Sequence, residues 1–84
     1  MKFEIVAIRD QAAAVYSRPF FVPTLGMAMR SFYDEAQRDA PDNELFRHPE
    51  DFTLWHLGTF DDNTGRFSNL EVPEQIATGK QMRG

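Results

Sequence analysis

Cysteine is absent from this chain, which removes disulfide frameworks, thiolate nucleophiles and cysteine-ligated zinc together. An 84-residue fold without such staples is held by packing or by self-association. Long apolar runs are missing too: "MKFEIVAIRDQ" meets Glu4, Arg9 and Asp10 before any stretch long enough for a signal peptide or a membrane span. The expectation is a soluble, unexported protein with no membrane partner. Cations are in the minority, nine Lys and Arg against thirteen Asp and Glu, for a net charge of −4. That balance opposes the phosphate attraction behind non-specific nucleic-acid binding and disfavours a general DNA-coating role. The glycines at 26, 58, 65, 79 and 84 are isolated, so no phosphate-cradling loop or dinucleotide fingerprint exists, and no Ser-His-Asp order can be assembled. No enzymatic activity and no cofactor are expected.

What is present suffices for one core. Hydrophobic residues make up 42% of the chain and eight are Phe, so residues 1–84 read as a single domain with a flexible tail over 79–84. "KFEIVAI", residues 2–8, carries apolar side chains on both faces, as an interior strand does. "SRPFFVPT" is extended because each Pro restricts the residue before it, making Phe20 to Val22 an edge strand or a buried crossing segment. Behind Thr24 as N-cap, Leu25, Ala28, Met29, Phe32 and Ala36 recur at helical spacing, which predicts a helix over 24–38 that "DAPDN" stops. A connector, "ELFRHPED", leads into "DFTLWHLGTFDD" and "RFSNLEV", a hairpin over 52–71 whose turn, Asp61 to Gly65, needs a positive φ at Gly65. "PEQIATG" reads as one helical turn opened by Pro73. The order indicates an α+β layer: a small, mostly antiparallel sheet with one main helix on one face, completed by oligomerisation because the other face or an edge stays open.

Residues 48–71 contain both histidines and five carboxylates. His48, Glu50, Asp51, His56, Asp61 and Asp62 are ligand types suited to a metal. Their spacing does not suit one: His48 and His56 straddle Pro49 and form no helical pair, and the two aspartates fall in a turn. "DDNTG" fails the calcium-loop template, because Gly65, Arg66 and Val72 stand where oxygens and the required glycine belong. Turn carboxylates are normally solvated and do not pair for acid–base work. The stretch reads as architecture with no metal site, and a metal-dependent enzyme is the remotest class.

Arginines do sit beside aromatics, in Tyr16, Arg18, Phe20 and Phe21 and again in Trp55, Phe60, Arg66 and Phe67. Sheet-borne aromatics stack on unpaired bases while Arg holds phosphates. Core packing is the commoner use of Phe20, Phe21, Trp55 and Phe60 in so small a domain, and Phe32 and Trp55 are read as core.

Four segments carry a family likeness: "IRD", "PFFVPT" before a helix containing "AMRSFYDEA", "HPEDFTLWHLGTFDDNTG", and "PEQIATG". Together they span nearly the whole chain, which resembles the small nonstructural DNA-binding protein of gokushovirus-type microviruses, phages with single-stranded DNA genomes. The resemblance implies a non-enzymatic protein in the cytoplasm of the infected bacterial host, active in single-stranded genome synthesis or packaging. It transfers no binding residues. From placement beside the expected strands, Arg9, Arg18 and Arg66 are the candidate phosphate contacts and Tyr16 and Phe67 the stacking surfaces. Binding to single-stranded DNA is expected to be weak or to depend on a homodimer or higher homo-oligomer; the competing reading pairs Arg9 with Asp10 and Arg66 with Asp62. The alternative function is an adaptor that binds phage or host replication proteins without touching DNA.

Overall fold

The computed structural model describes residues 1–83. Strand β1 (Lys2–Asp10) is followed by β2 (Val15–Tyr16), β3 (Phe20–Val22), helix α1 (Leu25–Gln37), the short helix α2 (Glu44–Arg47), a 3-10 turn at Pro49–Asp51, strands β4 (Phe52–Asp61) and β5 (Arg66–Thr78), and α3 (Gly79–Arg83). All pairing is antiparallel: β4 lies between β1 and β5, and β2 and β3 share the other side of β1. This is the expected α+β layer of an antiparallel sheet and one main helix.

Helix α1 forms where the apolar spacing places it, because Ala28, Phe32 and Ala36 fall on one face and are buried there. Thr24 caps it by accepting from the Met27 amide at 3.2 Å. These side chains pack with Val6, Leu54, Leu45 and Ala77, and Ile8, Phe20, Val22, Phe52 and Met82 close the periphery of the same cluster. The stop after α1 is a polar clamp. Buried Asn43 donates from Nδ2 to the carbonyls of Glu35 and Arg38, both at 2.8 Å, and accepts from the Phe46 amide at 3.3 Å. One amide thus satisfies carbonyls at the end of α1 and an orphan N–H at the start of α2. Arg38, bonded through Nε and Nη2 to Glu35, holds that carboxyl below its ordinary value.

The hairpin turn is as the sequence predicts: Gly65 has φ 73 and donates to the Asp61 carbonyl at 2.7 Å, and the Asp61 side chain accepts from the Asn63 amide. The C-terminal third differs from expectation. Residues 73–78 continue β5 instead of making a helical turn, with Glu74, Gln75, Ala77 and Thr78 registered against His56, Trp55, Leu54 and Thr53. Pro73, the expected helix start, lies in an unpaired stretch where the register shifts, so its missing N–H costs the ladder nothing. Helix begins only at Gly79, and the expected loose tail is α3, tied to α1 by the Gln37 side chain donating to the Met82 carbonyl at 2.7 Å; Gly84 lies outside the described residues. The two-residue strand β2 follows a turn that the sequence reading passes over, in which Asp10 accepts from the amides of Ala12 and Ala13 and Ala14 takes φ 58.

Phe32 is 2% exposed, and truncation to Ala should cost about 3–5 kcal/mol. Asn43→Ala should cost about 1–3 kcal/mol by stranding buried carbonyls. Urea denaturation checks both, and wild-type midpoints for either variant contradict these roles.

Candidate nucleic-acid interface on the uncovered sheet face

Paired residues of an antiparallel ladder lie on one face and neighbours along a strand alternate, so the register sorts every paired side chain. On β1, Glu4, Val6, Ile8 and Asp10 face α1, together with Phe20, Val22, Phe52, Leu54, His56, Thr59, Asp61, Arg66, Glu74 and Ala77. The opposite face carries Phe3, Ile5, Ala7 and Arg9 from β1. Tyr16 and Phe21 join them from β2 and β3, Thr53, Trp55 and Phe60 from β4, and Phe67, Asn69 and Gln75 from β5. Among the described residues no helix packs on this second face.

A bulge in β4 and the glycine beside it create this face. Ile5 pairs with Gly58 but Val6 with His56, leaving Leu57 as an extra residue in β4. This bulge resets the alternation, so Trp55 and Phe60, an odd number of residues apart, share a face. A Cβ on Gly58 would stand 2.3 Å from the Ser68 carbonyl oxygen and 2.9 Å from the Asn69 Cα. Only glycine allows β5 to approach that closely at the bulge. Trp55 is therefore not a core residue, and neither are Phe21 and Phe60, whereas Phe20 is packed against the core as expected. Adjacent Phe20 and Phe21 simply point to opposite sides of β3.

The open face has two chemically different ends. At one, the Arg9 guanidinium lies over the Tyr16 ring at 5.1 Å, and Tyr16 meets Trp55 edge-on, with centroids 5.8 Å apart and planes at 77°. The Trp55 indole N–H donates to the Thr53 hydroxyl at 2.7 Å. The Arg9 Nε is buried with no hydrogen-bond partner; a neutral donor so stranded costs about 1–3 kcal/mol and a charged group more. At the other end Phe21, Phe60 and Phe67 form a cluster with centroids 4.9 to 6.2 Å apart. A depression of about 280 Å³ is lined by Phe3, Phe21 and Phe60. Phe21 and Phe67 are 48% and 60% exposed, far more than a core aromatic.

Charge is segregated along with the aromatics. Every acidic residue at a paired ladder position, Glu4, Asp10, Asp61 and Glu74, falls on the α1 side, and Arg9 is the sole charged residue at the paired positions of the open face. The expected competitors for the arginines are engaged elsewhere. Asp10 caps its turn, and Asp62 accepts from the N-terminal ammonium of Met1 at 2.6 Å. Among the described residues no carboxylate forms an ion pair with Arg9, Arg18 or Arg66. Of the five candidates, Arg9 and Tyr16 are brought together. Phe67 is on the same face at the far end, Arg66 is on the α1 side, and Arg18 is exposed in the link between β2 and β3. Trp55 and Phe21, which the sequence reading favoured as core, belong to the site instead.

The histidines do not converge. His56 Nε2 lies 2.7 Å from Glu4 Oε2 and 3.0 Å from the Gly58 carbonyl, both acceptors. His48, Glu50 and Asp51 have potential ligand atoms within 4.8 Å of one another at the 3-10 turn, but His48 and Glu50 are solvent-exposed. No helix among the described residues is long and apolar enough to cross a membrane.

A family model described as "Phage ORF5 protein" matches residues 3–82. No curated protein and no solved structure matches.

Gly58→Ala should force β5 outward at the bulge and destabilise the fold by about 1–3 kcal/mol. It should also alter the near-UV circular dichroism of Trp55. An unchanged denaturation midpoint and spectrum would show that the close approach is not required.

Proposed function

Because the chain belongs to the phage ORF5 protein family, we propose that this phage protein is non-enzymatic and binds single-stranded DNA on its uncovered sheet face, in the cytoplasm of the infected bacterium, during viral genome synthesis or packaging. The observation that carries this reading is the separation of charge: a net −4 chain keeps its ladder carboxylates on the helix side and presents aromatic rings with one arginine on the other. Phosphate repulsion, the main objection from composition, is weakest on that face. Aromatic faces accept any unpaired base, whereas bases in a duplex are already stacked.

Fluorescence anisotropy with single- and double-stranded oligonucleotides at several salt concentrations tests the reading. Weak binding confined to single strands is expected, falling with salt at a logarithmic slope of about −0.7 per phosphate neutralised. Absence of binding at low salt refutes it and favours an adaptor that contacts replication proteins instead.

Self-association is the second part of the proposal. Strand addition at the sheet edges is hindered, since Pro19 and Pro23 bracket β3 and the paired run of β5 breaks around Pro73. The Phe3, Phe21, Phe60 and Phe67 end is the apolar surface left for a second copy, and a dimer is the simplest closed form. Light scattering at micromolar concentration should give twice the 9.7 kDa monomer mass, and Phe21→Ser with Phe67→Ser should return the monomer. A monomer mass for the parent removes this part of the proposal.

A further inference from the structure

We propose that the Arg9, Tyr16 and Trp55 end of the open face is a subsite for one unpaired nucleotide, with the base stacked on Trp55, the phosphate held by Arg9 and the Gln75 amide at the base edge. This rests on the single-stranded DNA reading and locates it at the end opposite the phenylalanines. The division follows from what each ring is already doing. One face of Tyr16 is occupied by the Arg9 guanidinium, and its contact with Trp55 is edge-on, so Tyr16 acts as a wall. Trp55, half-buried on the open face, has its indole N–H committed to buried Thr53, which fixes the ring by its polar edge.

Arg9 is held by the tyrosine ring and by no hydrogen bond among the described residues. A guanidinium placed by stacking keeps donors of its planar fork for a bidentate anionic acceptor, and two oxygens of a phosphate make such an acceptor. Gln75 stands directly across from Trp55 in the ladder and is exposed. Its amide offers both donor and acceptor, which suits a base edge without demanding one base. The phenylalanine end has rings but no cation at its paired positions. It lies about 20 Å away along β1, from the rise of 3.3 Å per residue between Phe3 and Arg9.

The chain has a single Trp, so its emission reports on this subsite alone. A labelled oligo-dT of about twelve nucleotides, within the site sizes of small sheet-based binders, is titrated at low salt with anisotropy and Trp emission read together. The inference predicts that Trp55 is quenched in parallel with binding. Arg9→Gln and Trp55→Leu should weaken binding about 5- to 100-fold, and Arg66→Gln, on the α1 side, should match the parent within about twofold. If Trp55→Leu does not fold, Arg9→Gln and the parent's emission still decide. Binding with unperturbed emission and an Arg9→Gln variant as tight as the parent overturns the subsite and leaves the single-stranded DNA reading intact. No binding by the parent overturns both.

Discussion

The contact of Gly58 with the β5 backbone is the constraint on which the open face depends. A strand that alternated regularly from Phe52 to Asp61 would put Trp55 on one side of the sheet and Phe60 on the other. The extra residue at Leu57 reverses the phase, and the missing side chain at 58 lets Ser68 and Asn69 close over the irregularity. The bulge therefore gathers aromatics on one face, while the regular half of β4 contributes Phe52 and Leu54 to the core. Stability and surface chemistry share one strand but use different halves of its pattern.

The same phase rule sorts the charges. Ladder carboxylates fall on the side of α1, where some have structural partners: Glu4 faces His56, Asp10 caps a turn, and Asp61 shapes the hairpin. A chain can thus be acidic overall and still offer a sheet face with no carboxylate at its paired positions. Net charge governs long-range steering, and the local pattern governs what is met at contact.

The amphipathic spacing of α1, the Thr24 cap, the alternation in β1 and the Asp61 to Gly65 turn were legible in the sequence because each is decided by residues a few positions apart. The continuation of β5 through Pro73 was not. A proline followed by Glu and Gln resembles a helix start, and only the free edge of β4, supplied by tertiary pairing, overrides it. Trp55 departs from the core expectation for a related reason: large aromatics default to the core, and the bulge that turns this one to the open face is marked by nothing but Gly58. Of the site, Arg9 and Tyr16 were visible as neighbours of strands. Their meeting was not, because it requires β2, two residues long and preceded by a left-handed Ala14.

The central claim is that one face of the sheet, and not the helix side, meets the nucleic acid. Side-chain NMR of isotopically labelled protein with unlabelled oligo-dT at low salt tests it most directly. The account predicts shifts in the Trp55 indole, the Tyr16 and Arg9 side chains and the Gln75 amide group, with Met27, Tyr33 and the other exposed side chains of α1 unmoved. Shifts concentrated on α1, or on the Glu4 and His56 side of the sheet, would contradict it.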